Sequence, residues 1–243
     1  MTQPVETSPG RIRPIAALRA VRALIHDPDD TERVFDVIDA LSGRSIERLY
    51  ERFRSSETGA RLLRERPDLL ATLSDRERLL ALPPGSLGRV YAEFMSREQI
   101  SADGLVQASE EGGRFEDETI PEQRRWFGER LRDMHDLWHV VTGYERDLVG
   151  EASLLAFTYR QTRNRGIGFI VVAAYLKAGH EFPDARRVMR DAYRRSKQAA
   201  WLPGQDWEAL LERPLHQVRH ELGLGEPPVY AQVRSDGAPA LAT

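Results

Sequence analysis

The sequence predicts an all-α fold, built as a single domain of about ten helices. Apolar residues recur at helical spacing over almost the whole chain, and no stretch combines strand-like alternation with turn signals. The chain has 243 residues, of which 41% are hydrophobic, which is enough for one sizeable core. We expect residues 11–225 to form this domain and the Pro-, Gly- and Ala-rich ends, 1–10 and 226–243, to be flexible tails.

The first predicted helix is basic as well as apolar. Residues 11–25, RIRPIAALRAVRALI, combine four Arg with Ile15, Leu18, Val21 and Ile25 in an amphipathic pattern. Such a helix could bind an anionic lipid surface. A basic surface helix packed on the core shows the same pattern, so the residues leave both alternatives open.

The region that follows predicts a series of short helices. Two apolar stripes come first, after the start signal Asp29-Asp30-Thr31, and they consist of Val34, Ile38 and Leu41, and of Ile46, Leu49, Tyr50 and Phe53. Proline and glycine then separate further helices, which are predicted at 59–66, 75–81 and 86–96. The acidic, Gly-bearing segment 101–118 is predicted to be a surface loop.

A long helix is predicted over 119–143, followed by a turn and a second helix over 147–162. Thr119 and Glu122 form a capping box at its start, and Gly143 is a suitable stop. The apolar stripes expected to face the core are Phe127, Leu131, Met134, Trp138 and Val141 in the first helix, and Leu148, Ala152, Leu155 and Tyr159 in the second. The remaining predicted helices are 167–178, 184–200, and 206–222 with an interruption at Pro214.

Composition excludes several classes of protein. The 35 basic and 38 acidic residues are interleaved and give a net charge of -3, which argues against a nucleic-acid partner. The absence of cysteine excludes disulfides, thiolate catalysis and sulfur-bound metal. The start of the chain lacks a secretory signal, and the longest apolar run, 166–176, is too short to span a membrane. We therefore expect a protein that is neither secreted nor membrane-spanning.

The residues His135, Asp136, His139 and Glu151 are candidate metal ligands. Four residues apart on a helix, the two histidines lie about 40° apart on one face and can converge on one ion. Asp136 can reach the ion or orient an imidazole. Glu151 can join them only if the chain reverses after Gly143, and a carboxylate on an inward-facing stripe requires a cation or a proton. The fold would then hold a metal between two consecutive helices.

A purely structural interpretation of these residues remains open. Histidine pairs at this spacing are common on helices, and an inward-facing Glu151 could instead pair with Arg132 or Arg160. If a metal binds, the two-histidine, two-carboxylate set suits a divalent ion such as Zn, Fe(II) or Mn(II), and it also allows two histidines and one carboxylate as direct ligands. The set differs from the His-Glu-x-x-His pattern of metalloproteases, so protease activity is not expected.

In three ordered segments the chain resembles the family of the coenzyme Q (ubiquinone) biosynthesis protein that is fourth in the Coq series. The first is His-Asp-x-x-His followed after eleven residues by Glu, which 135–151 reproduces in type and spacing. The second is LPPGSLGRVYAEFM at 82–95, and the third, a looser match, is WEALLERPLHQVRHELGL at 207–224. The resemblance covers residues 12–225, nearly the whole chain.

The resemblance implies an all-α fold, a divalent metal at His135, Asp136, His139 and Glu151, and a role in building the ring of ubiquinone. For the family, that role is replacement of the C1 ring carboxyl of a polyprenylated 4-hydroxybenzoate derivative by hydroxyl, or a non-catalytic role in organising the other ubiquinone enzymes. The same four residues would then be catalytic. Homodimers and isoprenoid lipid binding are further expectations. The Arg- and Ala-rich composition suggests a bacterial source, and hence a location in the cytoplasm or peripheral at the inner membrane.

Two further segments are candidates for lipid or substrate binding. The apolar stripe Phe169, Val172 and Leu176 could contact a polyprenyl tail, although a buried core helix would show the same pattern. Gly85, Ser86 and Gly88 could offer helix N-terminal amides to an anionic group. A turn followed by a serine N-cap would explain this second segment without a ligand.

Overall fold

The computed structural model describes residues 12–26, 31–100, 120–182 and 184–234, and it confirms the all-α prediction. Within these ranges there are fourteen α-helices, one short 3₁₀ helix at Leu202–Gly204 and no strand. The helices are α1 Pro14–His26, α2 Thr31–Leu41, α3 Ser45–Arg54, α4 Glu57–Glu65, α5 Leu69–Ser74, α6 Arg76–Ala81, α7 Leu87–Glu98, α8 Glu122–Asp133, α9 His135–Thr142, α10 Leu148–Thr162, α11 Arg165–Glu181, α12 Ala185–Gln198, α13 Trp207–Leu210 and α14 Leu215–Glu221.

The main core lies where α7, α9, α10 and α12 meet, with α10 packed most extensively against α12. Side chains with no exposed area from these helices include Leu87, Leu137, Phe157 and Ala192, and Trp207 of α13 fills the space beside them. A second cluster joins α3 and α4 to α8, and a third joins α1 and α2 to α11. Because α9 and α10 both border the main core, the side chains that they direct away from it are held on a rigid base.

The long helix predicted over 119–143 is interrupted at Met134. Helix α8 ends at Asp133, and α9 begins at His135. Helical hydrogen bonds are present on either side of Met134, from Met134 N to Arg130 O and from Trp138 N to Met134 O, both 3.1 Å. The interruption is therefore short. The sequence contains no proline or glycine there to signal it. The end of α8 is instead held by a tertiary contact, since the buried guanidinium of Arg130 donates two hydrogen bonds of 2.7 Å to Glu208.

The prediction of which face of α10 is buried is also wrong. The predicted stripe, which runs from Leu148 to Tyr159, is only partly buried. The fully buried residues of α10 lie on the adjacent face: Val149, Gly150, Ser153, Leu154, Ala156, Phe157 and Gln161. Helix α10 carries apolar residues nearly all round, so periodicity alone does not select the face. As a consequence Glu151 projects from a half-buried flank of the helix rather than from its core stripe.

Several predicted features lie outside the described residues: the tail 1–10, the start signal at Asp29 and Asp30, the loop 101–118 and the capping residue Thr119.

The flexible tail predicted over 226–243 is described as far as residue 234. Leu148 N donates a hydrogen bond of 2.7 Å to Val233 O, so the packed chain continues past the predicted boundary at residue 225. The interruption predicted at Pro214 is confirmed between α13 and α14. No helix in the described ranges is both long enough and apolar enough to cross a bilayer.

The buried pair of Arg130 and Glu208 provides a test of how α8 is held in place. Arg130→Ala leaves the carboxylate of Glu208 without its partner, and we expect the free energy of unfolding in urea to fall by about 3 kcal/mol. The matched control is Arg54→Ala, which removes an exposed pair with Glu51 and should change it by less than about 1 kcal/mol. Equal effects of the two substitutions would contradict this account of α8.

Candidate metal centre

The turn between α9 and α10 brings the predicted ligands together. Gly143 ends α9 in the left-handed region, with φ +76°, as the sequence predicts. Asp147 then begins α10 as its N-cap, since its side chain accepts hydrogen bonds from the amides of Val149 and Gly150. The chain reverses between these two residues, and Glu151 in the first turn of α10 therefore faces the histidines of α9.

The four predicted ligands form one cluster. His139 Nε2 lies 3.3 Å from His135 Nε2 and 3.4 Å from Glu151 Oε2, and His135 Nε2 lies 3.9 Å from the same Glu151 oxygen. Asp136 completes the cluster, because its ligand atom and those of the two histidines all lie within 4.8 Å of one another. The two histidines thus form one set of three ligands with Asp136 and a second set of three with Glu151.

The cluster is open on one side. His139 is buried with a side chain exposure of 0%, and Asp136 is buried as well. The side chains of His135 and Glu151 are 28% and 32% exposed. A ligand from solvent would therefore approach along the side formed by His135 and Glu151, while His139 and Asp136 form the floor.

The orientation of His139 is fixed from behind. Its Nδ1 lies 2.7 Å from the carbonyl oxygen of Tyr144, which can only accept, so Nδ1 carries the proton. In the neutral ring Nε2 is then the atom with the free lone pair, and it is the one that points into the cluster. Phe94 of α7 lies nearly parallel to the imidazole, with the ring centroids 6.0 Å apart. This arrangement is typical of a metal-binding histidine supported by a backbone carbonyl.

The C-terminal segment holds the turn from outside. The hydroxyl of Tyr230 donates to Asp147 and accepts from the amide of Glu145, both at 2.9 Å. Pro227 lies against Gly143, where a Cβ atom would come within 2.7 Å of it. No local signal in the sequence points to Tyr230, because its partners are more than 80 residues away along the chain.

The three titrating groups of the cluster influence one another. Burial lowers the pKa of His135, and the charge of His139 lowers it further. Burial would lower the pKa of His139 as well, but the charge and hydrogen bond of Glu151 outweigh it and the pKa is raised. For Glu151 burial opposes ionisation, yet attraction to His139 and His135 lowers its pKa to about 2. The ionised carboxylate of Glu151 therefore favours the protonated form of His139.

Arg146 is a member of this site that the sequence interpretation missed. Its Nε lies 3.5 Å from Glu151 Oε1, so the arginine expected to compete for Glu151 is neither Arg132 nor Arg160. Arg132 instead pairs with Asp133 at 2.8 Å. Its position in the sequence could have indicated this role, because Arg146 lies in the turn that reverses the chain and brings Glu151 to the histidines.

The segment around Gly85 packs against the C-terminal part of the chain. Ser86 is the N-cap of α7, as the structural alternative predicts. The amide of Gly88 donates to Leu211 O and that of Leu87 to Arg213 O, both at 2.8 Å, so these two amides are engaged in packing. Binding of an anion by Gly85, Ser86 and Gly88 stays a prediction. The segment serves the site indirectly, since α7 carries the Phe94 ring that packs on His139.

The stripe Phe169, Val172 and Leu176 lies at the surface. These side chains are 36%, 57% and 61% exposed, so the interpretation of this stripe as part of the core is wrong. Phe169 and Val172 line a shallow groove together with Ile12 and Leu41. Contact of the stripe with a lipid stays a prediction.

A divalent ion fits the residues present. Two imidazoles and two carboxylates form a donor set suited to Zn, Fe(II) or Mn(II), and His139 presents its lone pair to the cluster while its other nitrogen is engaged. An ion would also compensate the negative charge of Glu151. Within the described residues, His135, Asp136 and His139 form the group whose ligand atoms lie close enough together to hold a metal, and Glu151 borders it at 3.4 Å from His139 Nε2.

The chain matches the model of a known protein family. The family model described as "Coenzyme Q (ubiquinone) biosynthesis protein Coq4" matches residues 4–228, nearly the whole chain. The chain belongs to the Coq4 family. This membership confirms the resemblance found in the sequence and connects the chain to ubiquinone biosynthesis.

Curated Coq4 relatives include proteins named as mitochondrial ubiquinone biosynthesis proteins. The chain is 31% identical over 190 residues to that of Neurospora crassa, covering 78% of this chain and 52% of the relative. It is 30% identical over 203 residues to that of Yarrowia lipolytica, covering 79% and 71%. The chain thus spans about half of the Neurospora protein's length. These relatives are fungal, so the expected bacterial source and bacterial cytoplasmic location are not confirmed.

A solved structure shares the Coq4 fold. A crystal structure from Nostoc punctiforme, described as that of a candidate ubiquinone biosynthesis protein, superposes with a TM-score of 0.62. It covers 88% of this chain and 100% of its own, at 23% sequence identity. At this identity the likeness supports the fold alone.

The Gly143 turn offers a test of how the Coq4 cluster is supported. Gly143→Ala adds a Cβ atom that meets Pro227 and strains a positive φ, so we expect the carbonyl of Tyr144 to shift and the affinity for Zn²⁺ to fall about tenfold or more. The control is Gly85→Ala, which has the same backbone strain, at φ +80°, but no atom within 4 Å of the new Cβ. Isothermal titration of both variants with Zn²⁺ is the measurement, and an unchanged affinity in Gly143→Ala would contradict the supporting role.

The raised pKa of His139 predicts how metal binding depends on pH. A metal must displace the proton from His139, so affinity for Zn²⁺ should fall about tenfold per pH unit once the pH is below that pKa. The stability of the metal-free protein should change in the opposite direction. The His139 and Glu151 pair stabilises it fully below the unfolded histidine pKa of about 6.5, and this contribution is lost as the pH rises through the raised value. The first prediction is tested by titration with Zn²⁺ between about pH 5 and 8, and the second by urea unfolding of the metal-free protein over the same range. A Zn²⁺ affinity independent of pH would be inconsistent with a ligand role for His139.

Proposed function

We propose that this protein carries out a metal-dependent step on the ring of a ubiquinone precursor. The step is replacement of the C1 carboxyl group of a polyprenylated 4-hydroxybenzoate derivative by hydroxyl. The observation that supports this best is the cluster of two histidines and two carboxylates, closed behind His139 and open beside His135 and Glu151. Two-histidine, one-carboxylate sites with an open side are typical of metal centres that handle substrate and oxidant together.

The proposed reaction is a two-electron oxidation. The bond from C1 to the carboxyl carbon breaks, carbon dioxide leaves, and a carbon–oxygen bond forms at C1. The oxygen comes from water, and dioxygen accepts the two electrons together with two protons and leaves as hydrogen peroxide. A redox-active divalent metal would supply a route for those electrons, whereas Zn would supply Lewis acidity alone.

The protein's own residues have separate roles in this proposal. His135 and His139 present neutral imidazole nitrogens, and the hydrogen bond to Tyr144 keeps His139 in the required tautomer. Asp136 and Glu151 balance the charge of a divalent ion. Arg146 adds a positive charge beside Glu151, and this charge favours approach of the substrate carboxylate.

A second candidate is a non-catalytic protein that holds polyprenyl lipid and organises other ubiquinone enzymes, as a homodimer. It is supported by the position of the cluster, because an ion shared by α9 and α10 would fasten two helices together and would stabilise the fold without any turnover. In that case the four ligands matter for folding rather than for chemistry.

Substitution of the ligands in cells separates the two candidates. Each variant is tested in a strain blocked in ubiquinone synthesis, and lipid extracts are analysed for ubiquinone and for precursor that retains the ring carboxyl. For an enzyme, His135→Ala should lower ubiquinone formation by about a hundredfold or more and accumulate the carboxylated precursor, because even loss of an outer partner costs about 10–100-fold. The matched control, His216→Ala, replaces an exposed histidine on α14 and should leave synthesis unchanged.

The stability of the same variants completes the test. If the protein is an enzyme, purified His135→Ala should remain folded, and cells that carry this variant should accumulate the carboxylated precursor. A variant that melts or is degraded favours the non-catalytic candidate. Purified wild-type protein without any bound transition metal, together with normal synthesis by His135→Ala, would reject both interpretations of the cluster.

A further inference from the structure

Exposed apolar side chains are concentrated on one face of the protein. Seven large hydrophobic residues in the described ranges are exposed, and six of them lie in α1, in α11 or at Ile12, two residues before α1. We call these the α1–α11 face: Ile12, Ile15, Leu18, Phe169, Val172 and Leu176. Scattered single apolar residues are normal on a protein surface, whereas a cluster on two adjacent helices indicates a binding surface.

The two helices present these residues because their other faces are already buried. Ala20 and Val21 of α1 pack with Val37 of α2 and Ile170 of α11 in a separate small core. Ile12 meets Phe169 and Val172 across a shallow groove of about 360 Å³ that also includes Arg165. The groove therefore joins the exposed residues of the two helices at Ile12, Phe169 and Val172.

The charge of the α1–α11 face is basic. Arg13, Arg19 and Arg165 are exposed at its edges. Helix α1 contains no acidic residue in its sequence, and α11 contains one, Glu181, at its final position. Apolar side chains surrounded by arginine are typical of helices that lie in the interface of a membrane with anionic lipids.

We propose that the α1–α11 face docks on the surface of a bilayer that contains anionic lipid. Phe169, Val172 and the isoleucines enter the boundary between head groups and acyl chains, and the arginines bind lipid phosphates. A symmetric contact between two copies of this chain fits less well, because it would place the same basic face against itself. This inference goes beyond the proposed function, since docking requires neither the metal nor the substrate.

Flotation of the full-length protein with vesicles tests the proposal. Vesicles of phosphatidylcholine alone are compared with vesicles that contain one third phosphatidylglycerol, at low and high salt. We expect binding to the anionic vesicles, weakened by salt, and at least tenfold weaker binding to the neutral ones. The double variant Ile15→Glu/Val172→Glu should abolish binding, and each of Arg19→Glu and Arg165→Glu should weaken it about fivefold or more.

Matched substitutions elsewhere control for general effects. Val229→Glu alters the remaining exposed hydrophobic residue, and Arg64→Glu alters an exposed arginine of α4; both should bind vesicles like the unaltered protein. Equal binding by the face variants and the controls would overturn the proposal. So would a change from dimer to monomer in Ile15→Glu/Val172→Glu without a change in vesicle binding, because the face would then be an interface between copies. Chelation of metal should not affect docking, so this proposal and the proposed function can fail independently.

Discussion

The hydrogen bond from His139 Nδ1 to the carbonyl oxygen of Tyr144, 2.7 Å long, is the constraint on which the candidate metal centre depends. It fixes the tautomer of the buried imidazole and so decides that Nε2 faces Glu151. The carbonyl is in place only because Gly143 adopts a positive φ that ends α9 just before it. The C-terminal segment holds this turn through Tyr230, so a contact far along the chain determines the direction of one lone pair.

Charge explains why the cluster can exist before a ligand arrives. Two carboxylates on the floor and side of a partly buried site would repel each other and would be costly without cations. Here the imidazole of His139 and the guanidinium of Arg146 lie 3.4 and 3.5 Å from the two oxygens of Glu151. These neighbouring groups lower the pKa of Glu151 to about 2, so the carboxylate is ionised without a metal and a preformed cluster is compatible with a stable fold.

The parts of the site that the sequence predicts are those governed by local geometry. The spacing of His135 and His139 follows from the helical repeat, and the reversal at Gly143 follows from its conformational freedom. The interruption at Met134 and the core face of α10 were predicted wrongly, because tertiary contacts decide both. A buried pair between Arg130 and a residue of α13 holds the end of α8, and the apolar surface of α10 offers more than one face to the core. Neither the tertiary ion pair nor the choice of buried face produces a periodic pattern of apolar residues in the sequence.

The candidate metal centre and the α1–α11 face are connected through α10. Glu151 lies in its first turn, and Tyr159, two turns later, packs against α11 so closely that a Cβ atom on Gly168 would lie 2.7 Å from its ring. Eight residues of helix span roughly 12 Å, so the two features are separated along α10 by only this rise. For an amphiphilic substrate the arrangement has a direct consequence. A head group held beside Glu151 and a tail directed toward α11 would belong to one molecule, and the protein would not need to withdraw that molecule completely from a bilayer on which it was docked.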